Sequence, residues 1–407
     1  MKNNHKVIYK IEQQLMQQVK DMDHSFINGR SGAIVALSYY NAFHSSADQE
    51  KHIAEKIKFL IQNNLDDIES KPMQYSLFFG LAGICYSIRT AGHLDYRNAI
   101  PESWLKSLDR LIVNSADHYL NINEFDLMRG AGGILTYLLH FNPSQKNTKH
   151  MIRHLLDAAI CVDGDKFYWG TYDMNVQSNQ LEYSPEIYNL GLAHGIPGII
   201  SILSECYRLN FYRKECAEKI HGAINFIISR QVTGHDYCFP ARVKTNKNGI
   251  GEPEPSRLGW CYGDLGVAIA ILKAGQYCGN KAWIEKGKEI ACMTLGRTGH
   301  MALLDEHGLC HGYLGTMHMY NRVFKATGDP VFQKQMRYWE SISSKDLDFK
   351  VSETGFFKVQ NDQGSGKIKL GSADILQGLS GILLCLLSSR DGIAYPWDRA
   401  FLTNIEN

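Results

Sequence analysis

The sequence predicts an all-α protein in which seven helix pairs close into a double-layered ring, seven helices inside and seven outside. Three observations carry that prediction. A glycine signature recurs seven times, an almost wholly apolar segment follows the copies, and amphipathic segments lie between them.

The signature is G-x-x-G. It reads GRSG at Gly29, GLAG at Gly80, GAGG at Gly130, GIPG at Gly195, GDLG at Gly263, GYLG at Gly312 and GLSG at Gly378. Successive first glycines are 51, 50, 65, 68, 49 and 66 residues apart. One copy carries almost no information, but seven at near-regular spacing mark an internal repeat. The segments that follow, such as GIISILSECY from Gly198, GVAIAILKAG from Gly266 and GILLCLL from Gly381, are apolar nearly all round. Helices of that kind are buried on most faces.

Between the copies lie Glu50–Leu65, Pro101–Ser115, Lys214–Gln231 and Asn280–Leu295. In the second of these, Trp104, Leu105, Leu108, Leu111 and Ile112 mark one helical face and charges take the other. Asp329 followed by Pro330 is a helix start, a capping residue with proline at the first helical position. Each unit is therefore an outer amphipathic helix and an inner buried one. Such units stack openly or close on themselves. The terminal units lack a polar capping face, and Ile382–Leu387 is as apolar as the central copies, which favours closure.

The whole chain, 1–407, then reads as one domain. Three units are longer, with inserts near 164–183, 234–256 and 350–373 that are rich in aromatics, glycine and asparagine. These suit β-rich hairpins or irregular loops. On one rim of a ring, they would shape a substrate groove.

Composition excludes several classes. Apolar residues make up 44% and charged residues 21%, an ordinary globule with a large core. Lys+Arg at 43 against Asp+Glu at 42 leaves no basic stripe for nucleic acid. The start, MKNNHKVIYKIEQQL, lacks the apolar stretch of a signal peptide, and no run approaches the roughly 18 apolar residues of a membrane span. A cytoplasmic protein is expected. Ten cysteines in so long a chain do not make a disulfide scaffold. Cys85, Cys206, Cys292 and Cys385 sit in apolar helical stretches and read as small buried hydrophobes.

Cys261 and Cys310 differ, because each lies two residues before a first glycine. At that offset the seven copies read Ile27, Phe78, Met128, Ala193, Cys261, Cys310 and Leu376. One residue later they read Asn28, Phe79, Arg129, His194, Tyr262, His311 and Gln377. Equivalent offsets in neighbouring units bring side chains to similar heights, and packed helices stand about 8–10 Å apart. Two thiolates and an imidazole form a soft donor set that suits Zn²⁺ and leaves the fourth tetrahedral position open, the pattern of a catalytic zinc. Cys261, Cys310 and His311 are therefore expected to hold one Zn²⁺ per chain. The glycines allow a sharp turn into each helix, whose N-terminal N–H groups and positive dipole end favour thiolate and enolate at that mouth. Near the same mouth fall His194, Tyr262, Arg257 and Asp126. Asp374 shares the offset of Asp126, so offset alone gives Asp126 no role. His24, His307 and His318 also lie near copy starts and are expected to be structural.

LAHGIPG, SRLGWCYGDLG and GLCHGYLG together resemble the lanthionine cyclase (LanC) family of lanthipeptide biosynthesis, and the resemblance runs from Gly29 to Gly378. It implies a closed double-layer α/α toroid. It also implies intramolecular Michael addition of a peptide cysteine thiol to dehydroalanine or dehydrobutyrine, which makes a thioether ring. On the matching positions, Cys261, Cys310 and His311 are zinc ligands and the substrate cysteine takes the fourth place. His194 is an acid/base, Tyr262 a neighbouring candidate, Arg257 an enolate-stabilising cation and Asp126 an acidic partner. The tyrosine at 262, where LanC-like proteins of eukaryotes tend to carry histidine, resembles the bacterial stand-alone cyclases. The chain starts near its first unit, so no fused dehydratase is expected. A dehydrated precursor peptide, a separate dehydratase and an export transporter are the implied partners, with any membrane association made through the transporter.

Two other readings share these features. One is a zinc-holding peptide or glutathione scaffold without catalysis. The other resembles the β subunit of prenyltransferases, which alkylate a protein cysteine with zinc; its ligand set includes an aspartate and lacks an adjacent Cys-His step.

Overall fold

A computed structural model describes residues 2–19, 22–44, 46–96, 100–141, 146–175, 180–246, 249–251, 253–304, 306–346, 372–389 and 396–406. Its helices are, in chain order, α1 (Lys2–Gln18), α2 (Arg30–His44), α3 (Ala47–Ser70), α4 (Leu81–Ala91), α5 (Glu102–Asn121), α6 (Ala131–Phe141) and α7 (Lys146–Asp157). They continue as α8 (Ile196–Arg208), α9 (Arg213–Ile228), α10 (Asp264–Cys278), α11 (Lys281–Met293), α12 (Tyr313–Thr327), α13 (Pro330–Asp346) and α14 (Leu379–Ser388). No described helix is long and apolar enough to cross a membrane.

Each G-x-x-G opens an even-numbered helix one residue after its first glycine. Sterics explain why. The N–H of the residue after the glycine reaches back to the carbonyl six residues before that glycine. Examples are Leu81 to Gln74 (2.9 Å), Ala131 to Glu124 (2.8 Å), Tyr313 to Glu306 (2.9 Å) and Leu379 to Ser372 (2.8 Å). The loop thus folds onto its own helix start, and a Cβ at Gly80 would overlap the Gln74 carbonyl. The same clash with the loop carbonyl recurs at Gly29, Gly130, Gly195, Gly263 and Gly378.

Contacts divide the chain into two compact units. The first comprises residues 1–109, 305–321 and 331–397. In it α2 packs against α3, α4 and α14, and α1 lies on α14 and α2. The glycine loops are joined by backbone bonds: Cys310 N–H to Leu376 O (2.9 Å), Ile375 N–H to Ile27 O (3.0 Å) and Phe26 N–H to Phe78 O (3.0 Å). The seventh copy therefore sits beside both the sixth and the first. Phe26 fills the centre of this region, edge-on to Phe78 and Tyr86.

The second unit comprises residues 110–304, 322–330 and 398–407. Here α8 lies between α6 and α10, with α7, α9 and α11 against them. The last residues seal this core: the Trp260 indole donates to Phe401 O at 2.8 Å, and buried Lys273 Nζ meets Asn404 Oδ1 (2.9 Å) and Glu205 Oε1 (3.0 Å). Arg322 on α12 forks onto buried Asp398 at 2.6 and 2.7 Å.

Two inserts of this unit carry strands. Between α7 and α8 run β1 (Ile160–Val162), β2 (Lys166–Tyr168), β3 (Thr171–Asn175), β4 (Gln180–Ser184) and β5 (Ile187–Asn189). Between α9 and α10 run β6 (Arg242–Asn246) and β7 (Gly249–Ile250). β1–β2 and β3–β4 are antiparallel hairpins, and β6 pairs antiparallel with β5 and β7. The insert near 350–373 lies almost wholly outside the described residues.

One expectation is corrected. Cys85, Cys206 and Cys385 are buried, but Cys292 is exposed, because it stands on the outward side of the outer helix α11.

Candidate active site

In the second unit the site is built from three consecutive glycine loops. Asp126 opens the turn into α6: its Oδ1 accepts from Met128 N–H (2.7 Å) and Arg129 N–H (3.0 Å). Its other oxygen lies 2.6 Å from His194 Nδ1, in the next loop. Asp374 is the informative comparison. It caps its own turn in the same way, through Gln377 and Gly378 N–H, but its second oxygen meets Ser372 instead of a histidine. Partner, not offset, separates the two aspartates.

Burial penalises both charges of the Asp126–His194 pair. Their mutual attraction and hydrogen bond outweigh that penalty, so the imidazole pKa is raised and the carboxyl pKa lowered. Glu124, whose carboxylate accepts from Asp126 N–H and lies 3.3 Å from Arg129 Nε, is pushed up to about 7 by burial and by the charge of Asp126. Asp126, Glu124 and His194 line a small cleft, with Trp169, Thr171 and Asn189 on its other walls.

Tyr262 stands beside this pair, its ring centroid 5.6 Å from that of His194. Its hydroxyl accepts a long bond from Asn189 Nδ2 (3.4 Å), and burial raises its pKa. Asn189 in turn accepts from Gly191 N–H at 2.8 Å. Gly191 has to be glycine, since a Cβ there would strike the Cys261 carbonyl and the Tyr262 ring. Arg257 is half-buried, and among the described residues no ion pair or hydrogen bond engages its guanidinium. It lies in the loop before Cys261, its carbonyl against Gly263.

In the first unit, buried Cys310 is fixed by its N–H bond to Leu376 O. His311, the next residue, has Nε2 at 3.1 Å from Glu306 Oε1 and 3.2 Å from Gln377 Nε2. The neighbouring histidines have structural partners. His307 bonds Ser343, His318 lies 4.7 Å from the Trp397 ring, and His24 Nδ1 is 3.6 Å from Asp67.

The ligand atoms of Cys261, Cys310 and His311 all lie within 4.8 Å of one another, a possible Cys/His metal site. Two buried sulfurs and an imidazole nitrogen fit zinc by donor softness and count. Sequence reasoning missed the residues around these groups. Six residues before the first glycine the copies read Asp23, Gln74, Glu124, Asn189, Arg257, Glu306 and Ser372, polar in every case. Only Arg257 was singled out. The uniform polarity of that offset was the available signal, and in five copies (Asp23, Gln74, Glu124, Glu306 and Ser372) the carbonyl of that residue receives the helix start.

The family described as lanthionine synthetase C-like protein matches residues 5–402, and the chain belongs to it. Among its relatives is the nisin biosynthesis protein NisC of Lactococcus lactis subsp. lactis, 26% identical over 84% of this chain and 82% of that protein. The structure is similar to that of a nisin cyclase, with a TM-score of 0.73, 20% identity, and coverage of 99% of this chain and 97% of that one. That likeness shows the fold, the α/α toroid expected from the seven units. A weaker likeness (TM-score 0.51, 9% identity, covering 95% and 99%) links it to the α-1,6-mannanase of Salegentibacter sp., again in fold alone.

Proposed function

We propose that the protein is a zinc-dependent lanthionine cyclase that closes thioether rings in a dehydrated precursor peptide. The observation that carries this reading is the convergence of Cys261, Cys310 and His311 in a chain of the lanthionine synthetase C-like family. Those three residues would hold the metal. Zinc bound there would lower the pKa of a coordinated substrate thiol from its usual value of about 8.5, supplying thiolate at neutral pH.

The thiolate sulfur adds to the β-carbon of a dehydroalanine or dehydrobutyrine. The C–S bond forms, the alkene electron pair moves to the carbonyl oxygen as an enolate, and Cα then takes a proton. Arg257, a cation with no protein partner among the described residues, would stabilise the enolate. His194 delivers the proton. Its pairing with Asp126 raises its pKa, whereas burial makes the Tyr262 phenol a still weaker acid. Asp126 holds the imidazole in position and keeps it charged. The dehydrated substrate requires a dehydratase upstream, and a secreted product requires an exporter.

Metal analysis with ring closure tests this reading. Cys261→Ala and Cys310→Ala should lose both zinc and cyclisation, and His194→Ala should keep zinc and cyclise slowly. Full activity and metal content in either cysteine variant would refute the assignment.

A further inference from the structure

Arg257 carries the enolate role in the reading above, and among the described residues no ion pair or hydrogen bond engages its guanidinium. Its placement therefore has to come from its backbone, which is held on both sides. The Ser256 carbonyl accepts from Arg297 Nη2 at 2.7 Å, and Leu258 N–H donates to Ala302 O at 2.9 Å. Ser256 and Leu258 are both buried. The Arg257 carbonyl lies so close to Gly263 that a Cβ there would overlap it.

Arg297 comes from the turn after α11, where its own N–H bonds Thr294 O at 3.0 Å. Its other arm is held as firmly: Nη1 donates to Asp264 Oδ2 at 2.7 Å. Asp264, the first residue of α10, also accepts from the N–H groups of Phe239 (2.9 Å) and Cys238 (3.2 Å). Both charged side chains are buried. At the offset of Asp264 the other six copies carry Arg30, Leu81, Ala131, Ile196, Tyr313 and Leu379, so a carboxylate there is peculiar to the copy that holds Cys261. A buried ion pair adds little net stability over apolar side chains of similar volume, so the use of this one is better sought in its geometry. Arg297 bridges the start of α10, three residues after Cys261, to the residue before Arg257.

We infer that Arg297, held by Asp264, is a positioning residue that fixes the backbone of Arg257 relative to the Cys261 turn. The inference rests on the enolate role proposed for Arg257. Neither Arg297 nor Asp264 touches substrate in this role. Asp264 fixes one arm of a planar guanidinium, and the other arm fixes Ser256. A lysine at 297 could keep the charge beside Asp264 but has a single nitrogen and no rigid second arm. The pair thus acts on the rate of enolate formation and leaves metal and precursor binding alone.

The test is a double-mutant cycle on ring closure of a dehydrated precursor by the zinc-loaded full chain, with zinc content, precursor Kd and single-turnover rate read for each protein. Arg297→Lys should keep zinc and precursor affinity and slow the single-turnover rate by about 10- to 100-fold, the scale of a misplaced positioning group. Arg257→Gln should also be slow. The double variant should be no slower than Arg257→Gln alone, since misplacing an arginine that is already absent costs nothing more. A double variant slowed by the product of the two factors overturns the inference, as does Arg297→Lys cyclising at the wild-type rate while Arg257→Gln is slow; the enolate role of Arg257 survives both results. An Arg257→Gln that cyclises at the wild-type rate overturns that role itself, and the inference with it. If Arg297→Lys does not fold, Asp264→Asn, which keeps shape and loses the anionic partner of Arg297, takes its place in the same cycle.

Discussion

Asp126→Asn isolates the contribution of the acid partner, because asparagine has nearly the same shape. Its amide oxygen can keep the bonds from Met128 and Arg129 N–H at 2.7 and 3.0 Å, so the turn into α6 should survive. Its NH₂ then faces His194 Nδ1, where the carboxylate oxygen stood at 2.6 Å. The charge-assisted bond is lost, and the neutral imidazole has to adopt the tautomer that accepts at Nδ1. A hydrogen bond to a charged group contributes about 1.5–3 kcal/mol net. At about 1.4 kcal/mol per factor of ten, ring closure should slow about 10- to 150-fold.

The pH profile should move as well. In the wild type Asp126 outweighs the desolvation of His194 and raises its pKa, so the proton-donating form persists to higher pH. In the variant that form is lost at lower pH, and the deficit should be largest on the alkaline side of neutrality. The assay is the single-turnover rate of thiol loss on a dehydrated precursor across that range, with zinc content measured in parallel. An unchanged rate and profile would refute the pairing argument, and loss of zinc would mean that Asp126 supports the metal instead.

Other perturbations test the frame. Gly80→Ala forces a methyl group into the Gln74 carbonyl and should destabilise the protein by about 1–3 kcal/mol, whereas Gly296→Ala, with open space around it, should stay within about 0.5 kcal/mol in the same chemical denaturation. Lys273→Met removes a fully buried cation from Glu205 and Asn404 and should cost about 3 kcal/mol, at the low end for a broken buried pair because Arg208 still reaches Glu205 at 2.8 Å. Burial alone would raise the Glu205 pKa, but Lys273 and Arg208 hold it down to about 2 from its ordinary 4.5. Its contribution is therefore present above pH 4.5 and lost as pH falls through about 2, and in Lys273→Met that loss should begin at higher pH in acid unfolding curves.

The glycine spacing located every inner helix start because the clash that demands glycine is local: the helix folds back on its own loop. Outer helices were legible in kind but not in extent. Glu50–Leu65 became α3 from Ala47 to Ser70, since polar turns at a helix end carry no apolar period. The first outer helix, α1, is rich in Lys, Asn and Gln, and its buried Ile8, Ile11, Leu15 and Met16 have no glycine frame to announce them. In the site, Cys261, Cys310, His311 and His194 stood out because rare reactive residues at fixed offsets are conspicuous. Glu306, Gln377, Glu124 and Asn189 did not, because single glutamates, glutamines and asparagines are common on loops. Only the fold shows which of them face a histidine or a tyrosine.

The central claim is tested most directly by incubating the zinc-loaded protein with a dehydrated precursor peptide and counting free thiols against mass. Ring closure by addition predicts that cysteine thiols disappear with no change in peptide mass, and that a chelator stops the reaction. A peptide that binds but keeps every thiol, with zinc in place, would contradict the cyclase account and leave a zinc-holding peptide scaffold.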